Sequence, residues 1–172
     1  MPLGLRATAG LGSKFGLVLS LAGVLLACRA LGFGAGLAPF APGTFGTLAA
    51  VPLFFLTASW PLPLRLGFIA LFILLSFWIA HVAGKFYGES DDQHIVIDEV
   101  AGYLVTTCLA AWSWQSALIG FVFFRLFDIT KPWPARYFDR RVKNGFGNVM
   151  DDVVAGGFAL ACTTLVLRYT GL

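Results

Sequence analysis

The sequence has little charge. Only 12% of its 172 residues are Asp, Glu, Lys or Arg, against roughly 25% in ordinary soluble domains, and 58% are hydrophobic. A disordered chain is therefore excluded. The net charge of +3 also excludes a strongly basic nucleic-acid-binding protein. The composition predicts an all-α, membrane-embedded chain rather than a soluble globular domain.

Cysteine is scarce as well. The three cysteines lie inside apolar runs, their number is odd and no C-x-x-C pair is present. This excludes a disulfide framework and argues against a zinc site. Residues 15–27 followed by Cys28 resemble a lipoprotein signal. We expect no such processing, because the chain beyond Cys28 is as apolar as the supposed signal.

Acidic residues are absent from the first 88 and the last 20 positions. All nine lie between them: Glu89, Asp91, Asp92, Asp98, Glu99, Asp128, Asp139, Asp151 and Asp152. Six of the twelve basic residues fall within 19 positions: Arg125, Lys131, Arg136, Arg140, Arg141 and Lys143. Because charges near lipid are costly, such a concentration usually marks a functional site.

Five apolar stretches make up most of the rest, at residues 15–37, 45–60, 66–83, 100–124 and 153–167. Apolar side chains occupy every side of each stretch, as in helices that are buried or face lipid. Several are shorter than the ~20 residues that a spanning helix needs. The pattern predicts a bundle of about six helices, some of them short or re-entrant.

The stretch 100–124 has two interpretations. As a single span, it would place Asp98 and Asp128 on opposite sides of a membrane. As a hairpin turning at residues 112–115, its only polar break, it would bring both to one level, because Asp98 and Asp128 each lie 15 residues from Ser113. We favour the hairpin, with arms ~20 Å long.

The charged segment that follows also favours helices. Arg125, Asp128 and Lys131 recur every three residues, close to one helix face. Pro132 and Pro134 then interrupt, and a second helix is expected with its own polar face. That face comprises Arg136, Asp139, Arg140 and Lys143. Residues 144–147 are predicted to end this helix, and Asp151 and Asp152 to open the last one.

Two acid pairs stand one turn before a glycine, Asp98-Glu99 before Gly102 and Asp151-Asp152 before Gly156. A glycine there lets a neighbouring helix or a ligand approach closely. Together with Asp128, these pairs predict a carboxylate cluster. Clustered carboxylates need a cation, and Mg²⁺ prefers oxygen ligands. The alternative is that the acids pair with nearby Arg and Lys or cap helices.

The basic face of Arg125, Lys131, Arg136 and Arg140 is suited to a phosphate group. Alternatively, it reflects only the excess of Lys and Arg in cytoplasmic loops. A turn at residues 41–47 carries Thr44 and Thr47 ahead of an apolar helix. We expect one of these threonines to cap that helix, and its free N–H groups are a second candidate phosphate contact. Carboxylates, a divalent metal and cations form the combination that phosphoryl transfer uses.

Four blocks in this order and spacing resemble the phosphatidylglycerophosphatase A family: residues 32–48, 95–102, 124–134 and 145–156. The resemblance covers residues 32–160. It suggests a helical domain over 32–172 that follows an N-terminal apolar extension, 1–31. The family's acidic positions match Asp91, Asp98, Glu99, Asp128, Asp139, Asp151 and Asp152, and its basic ones match Arg125, Lys131, Arg136, Arg140 and Arg141.

This resemblance implies a Mg²⁺-dependent, multi-pass enzyme of the bacterial inner membrane with its site facing the cytoplasm. It would hydrolyse phosphatidylglycerophosphate, an anionic phospholipid, to phosphatidylglycerol and phosphate. The expected metal ligands are Asp98, Glu99, Asp128, Asp151 and Asp152. Glu99 is the expected proton acceptor, with Asp98 and Asp128 as further catalytic residues. The expected phosphate contacts are Arg125, Lys131, Arg136, Arg140, Thr44 and Thr47.

Two other functions use the same acidic cluster. One is a different phospholipid-processing enzyme, such as a transferase that makes a phosphodiester. The D-x-x-D-G-x-x-A-R run of the alcohol phosphotransferases is absent from this sequence. The other is an integral-membrane cation carrier, which would move ions and release no phosphate. No nucleic-acid partner is expected.

Overall fold

The computed structural model describes residues 41–87 and 96–171. The apolar stretch 15–37, Cys28, Asp91 and most of the first family-like block lie outside these ranges. Within them the chain forms six helices and no strand, which confirms the all-α prediction. They are α1 (Pro42–Thr57), α2 (Leu62–Tyr87), α3 (Ile97–Thr106), α4 (Trp114–Thr130), α5 (Ala135–Arg141) and α6 (Gly145–Thr170).

The stretch 100–124 is a hairpin, as predicted. Helix α3 ends at Thr106, and Ser113 caps the start of α4 by accepting a hydrogen bond from the Ser116 amide at 3.0 Å. The buried Arg65 of α2 reaches into the turn between them. Its guanidinium donates to the carbonyl oxygens of Thr107 at 2.5 Å and Ala110 at 2.8 Å. The Thr107 carbonyl, which also accepts from the Ala110 amide at 2.9 Å, thereby gains a second donor at the end of α3.

Helices α3 and α6 cross where their glycines meet. A Cβ atom built on Gly102 would lie 2.7 Å from the backbone oxygen of Asp152, and one on Gly156 would overlap the Gly102 carbonyl. The Thr106 hydroxyl bonds the Gly102 carbonyl at 2.9 Å and lies 3.4 Å from that of Gly156. The predicted close approach at these two glycines is confirmed.

The helix break predicted at Pro132 and Pro134 is also confirmed, because α4 ends at Thr130 and α5 begins at Ala135. The prediction for residues 144–147 is wrong. They begin α6 instead of ending α5, since the Asn144 side chain accepts a hydrogen bond from the Gly147 amide at 3.0 Å. Asp151 and Asp152 consequently lie well inside α6, and the prediction that they open it is wrong.

Two helical segments, Leu62–Ala83 of α2 and Gly145–Thr170 of α6, are long and apolar enough to cross a membrane. Within an apolar window of 18 residues in each segment, only 33% of the first and 39% of the second is buried inside the protein. Exposed apolar residues such as Leu71, Leu74 and Trp78 line the outside of α2. Helix α1 is apolar but shorter.

Candidate active site

Three carboxylates converge at the crossing of α3 and α6. Asp98 and Glu99 come from the first turn of α3, and Asp152 comes from α6. One oxygen atom of each lies within 4.8 Å of the other two. The geometry follows from the glycines, because Asp98 and Asp152 each stand one turn before Gly102 or Gly156. We call these three side chains the carboxylate triad.

The triad has no ion pair with Lys or Arg within the described ranges. Burial, followed by the charge of Glu99, raises the pKa of Asp98 well above its ordinary value. Burial, reinforced by Asp152 and Asp128, raises the pKa of Glu99 to about 7. The Oε2 atom of Glu99 is buried and has no hydrogen-bond partner among the described residues. Three hard oxygen ligands with an unsatisfied buried acceptor fit a divalent cation such as Mg²⁺.

The other two predicted metal ligands have cationic partners. Asp128 accepts a hydrogen bond from Arg125 at 2.5 Å, and Asp151 pairs with Lys131, which also contacts Asp139 at 2.8 Å. Burial lowers the pKa of Lys131, but the two aspartates outweigh this effect and hold it above its usual value. Ion pairing, the alternative for the acidic cluster, therefore describes Asp128 and Asp151 but not the triad.

Arg125 stands beside the triad with part of its guanidinium unused. Its Nε atom is buried and has no hydrogen-bond partner among the described residues. Gly43, in the first turn of α1, packs against both Arg125 and Glu99. A Cβ atom there would lie 2.6 Å from Glu99 Oε1 and 3.1 Å from Arg125 Nη1. Glu99 and Arg125 thus approach the same glycine through Oε1 and the Nη atoms, while Oε2 and Nε are the atoms without a partner among the described residues.

The predicted threonine cap of the first helix is wrong. Ala41, in the left-handed conformation with φ 46°, precedes α1, and no side chain caps it. The Thr44 amide bonds the Ala41 carbonyl at 2.9 Å. Thr47 is buried in the second turn, where its hydroxyl donates to the Gly43 carbonyl at 2.8 Å. Thr47 therefore supports the turn that carries Gly43.

Arg136 and Arg140 lie on α5 and are exposed. Arg136 donates to the Thr130 carbonyl at 3.3 Å, and Arg140 lies near Asp139. Neither forms an ion pair with the triad. Sequence reasoning missed two residues, Gly43 and Arg65. A lone Arg65 beside the apolar stretch 66–83, in a part of the chain without acids, was an available signal for a buried cation.

The comparisons with known proteins agree with these features. A family model described as Phosphatidylglycerophosphatase A matches residues 28–167. The chain is 43% identical over 128 residues to Phosphatidylglycerophosphatase A of Escherichia coli K12, covering 74% of each chain. It is 41% identical over 133 residues to that of Haemophilus influenzae, covering 76% of this chain and 82% of the relative.

A third relative carries a different name. The chain is 35% identical over 137 residues to a Bacteroides thetaiotaomicron protein provisionally named a phosphatidylinositol-3-phosphatase, covering 74% of this chain and 84% of the relative. No solved structure matches. The family match spans most of the chain and includes every residue of the triad, Arg125 and Lys131. The resemblance seen in the sequence is confirmed: this chain belongs to the phosphatidylglycerophosphatase A family of phosphatases.

Proposed function

We propose that this protein hydrolyses the terminal phosphomonoester of phosphatidylglycerophosphate, with Mg²⁺, to give phosphatidylglycerol and inorganic phosphate. One observation carries the proposal: the carboxylate triad lies beside Arg125, and among the described residues a buried oxygen of Glu99 and the buried Nε of Arg125 have no hydrogen-bond partner. Anionic ligands for a cation and a cationic donor for a phosphate are both needed for phosphomonoester hydrolysis. The names of the relatives supply the substrate.

Asp98, Glu99 and Asp152 would hold the metal ion. When bound, Mg²⁺ supplies charge neutralisation at the phosphate and a more acidic water molecule. Asp128 and Asp151, predicted as further ligands, are assigned a different role here. They hold Arg125 and Lys131 in place through their ion pairs.

Arg125 and Lys131 would bind the phosphate oxygens. The free Nε of Arg125 lies in the same plane as its Nη atoms, so the guanidinium can present a two-pronged donor to a phosphate. Lys131 acts as a point charge whose protonated form is maintained by Asp139 and Asp151. We assign Arg136 and Arg140, which are exposed, to attraction of the anionic headgroup. Thr44 lies in the first turn of α1. The N-terminus of this helix, which is the positive end of its dipole, faces this region.

Glu99 is our choice for the proton acceptor, because its buried Oε2 atom has no hydrogen-bond partner among the described residues and is available to accept a proton. The water oxygen forms a bond to phosphorus while the ester P–O bond breaks. One proton of the water passes to Glu99 and from Glu99 to the departing glycerol oxygen, while the other stays on the phosphate product. Asp98 and Asp152 would hold the metal ion through their carboxylates and take no part in this proton transfer.

We also propose that the protein lies in the bacterial inner membrane with its site at the cytoplasmic surface. Support comes from the two candidate spans and from the exposed apolar face of α2. Four exposed basic residues follow Arg125 and Lys131 closely in the sequence: Arg136, Arg140, Arg141 and Lys143. This excess of basic residues is typical of the cytoplasmic side.

The test is phosphate release by the purified protein in detergent, with Mg²⁺ or with EDTA. We expect release from phosphatidylglycerophosphate with Mg²⁺ only, and its loss in Asp98→Asn. Arg168→Gln, an exposed charge in the last turn of α6, is the control and should retain activity. Phosphatidylinositol 3-phosphate is the comparison substrate, because one relative's name points to it.

Other outcomes would identify the alternatives. A phosphodiester product without free phosphate would indicate a transferase. Cation flux in liposomes without phosphate release from any lipid would indicate a carrier. Unchanged activity in EDTA after extensive dialysis would refute the metal assignment alone.

A further inference from the structure

Helices α1 and α4 contact each other near both ends, and an apolar groove lies along them. At one end, Gly43 of α1 packs against Arg125 of α4. At the other end, the rings of Phe55 and Trp114 meet with their centroids 4.5 Å apart. Between these contacts lies a groove of about 380 Å³. Apart from Trp114, it is lined by Leu48, Val51, Pro52, Ala117, Leu118 and Phe121.

The groove leads to the candidate active site. On α4, Leu118, Phe121 and Arg125 are spaced by three and four residues, so they share one helix face. On α1, Thr44 precedes Leu48 by four residues and lies on the same face as the groove lining. A molecule lying along the groove would therefore meet the Arg125 guanidinium at its end.

The shape and chemistry of the groove match an acyl chain. None of its lining side chains is charged or carries a strong hydrogen-bonding group apart from the Trp114 indole. The distance along α1 from Gly43 to Phe55 is about 18 Å, close to half of the ~30 Å hydrocarbon thickness of a bilayer. Leu118 and Trp114 are 65% and 70% exposed, so the groove is open along its side. A chain can enter laterally.

We propose that this groove binds one acyl chain of the phospholipid substrate, with the phosphate held by Arg125 at its polar end. The inference rests on the proposed function and extends it. It assigns lipid selectivity to α1 and α4, whereas the chemistry lies on α3 and α6. Because an acyl chain in a micelle or bilayer is already out of water, the groove should select chains by packing rather than by a hydrophobic gain for each methylene group.

The test compares two substrates with the same headgroup, dipalmitoyl and dibutyryl phosphatidylglycerophosphate. Leu118→Trp fills part of the groove. We expect it to lower the ratio of kcat/KM for the long-chain substrate to that for the short-chain one at least tenfold. Leu71→Trp is the matched control, because Leu71 is 66% exposed but lies on α2, outside the groove. It should leave the ratio unchanged.

Failure of the two proposals is distinguishable. If the unmodified protein releases no phosphate from either substrate, the proposed function fails. If it releases phosphate but Leu118→Trp and Leu71→Trp give equal ratios, the groove assignment is overturned. A phospholipid phosphomonoester with a diazirine on one acyl chain provides a second readout in the unmodified protein. Labelling of α1 and α4 peptides around Leu48 and Phe121 supports the groove, and labelling confined to residues 1–40 or to α2 refutes it.

Discussion

The two ends of the α3–α4 hairpin both contain buried or half-buried charged side chains, but these side chains differ in their partners. At the turn, Arg65 donates to two carbonyl oxygens and lies over the Phe54 ring at 5.5 Å. At the other end, the triad brings together carboxyl groups only, and one oxygen of Glu99 has no partner within residues 41–87 and 96–171. Arg65 is therefore a charge that stabilises the fold, whereas the triad is a group of acids suited to binding a cation.

Removing a charge should therefore affect activity and stability differently at the two ends. Asp152→Asn should lower phosphate release on the order of 10³-fold, the upper range for removing one electrostatic group from an active site. It should leave the metal-free protein as stable as before or more stable, because repulsion within the triad falls. Phosphate release and thermal unfolding in EDTA measure the two effects. A strong loss of stability in EDTA would show that Asp152 is structural.

The glycine crossing provides the next comparison, between two adjacent positions. Gly156→Ala should lower activity on the order of 10²-fold, because its Cβ would overlap the Gly102 carbonyl and separate the triad. Gly157→Ala is the control, since no atom of the described part of the chain lies within 4 Å of a Cβ there. It should retain activity. Equal activities of the two variants would show that the spacing of α3 and α6 does not set the site.

At the turn, Arg65→Met should show the reverse pattern. It removes the donor from the Thr107 and Ala110 carbonyls, which should lower the free energy of unfolding by about 2–4 kcal/mol. The folded fraction should keep turnover within a few fold of the unmodified protein. Denaturant titration and kcat per folded molecule are the measurements. A kcat loss as large as that of Asp152→Asn would contradict the division between the two ends.

The smallest effect concerns pH. Because the pKa of Glu99 is about 7 in the folded protein against an ordinary 4.5, the folded state binds more protons than the unfolded state between these values. The free energy of unfolding of the metal-free protein should therefore fall as pH rises from 4.5 to 7. Melting temperatures in EDTA test this, and Mg²⁺ should reduce the dependence.

Glu99→Gln should reduce that pH dependence without abolishing it, because the pKa of Asp98 is raised as well. Asp139→Asn should not alter it, since Lys131 outweighs burial and holds the pKa of Asp139 below its ordinary value, outside this window. A metal-free protein that becomes more stable from pH 4.5 to 7 would contradict the raised pKa of Glu99.

Much of the fold was predictable because apolar pattern and helix breakers act locally. The polar break at residues 112–115 predicted the hairpin, and Pro132 and Pro134 predicted the gap before α5. The sequence 144–147 was misread because Asn and Gly favour both the end of one helix and the start of the next. Which role applies depends on Gly145 packing against the backbone of α2, a contact distant in sequence.

The sequence predicted that the acidic residues cluster, but not which of them form the triad and which pair with Arg125 or Lys131. Nothing in the spacing of Asp98, Asp128 and Asp152 distinguishes a ligand from an ion-pair partner. The distinction depends on where Arg125 and Lys131 point after folding. Likewise, the hydroxyl of Thr44 or Thr47 was expected to cap the first apolar helix, but α1 begins at Pro42 after a left-handed Ala41 instead.

The contact between Gly102 and Gly156 is made by main-chain atoms, which have no rotamers to change. The distance between the main chains that carry Asp98 and Asp152 is therefore set by backbone packing, and only the rotamers of these two side chains can change the spacing of their carboxylates. A cation bound between the two helices would meet a preset main-chain frame, which favours an ion of one size over ions that need a flexible site.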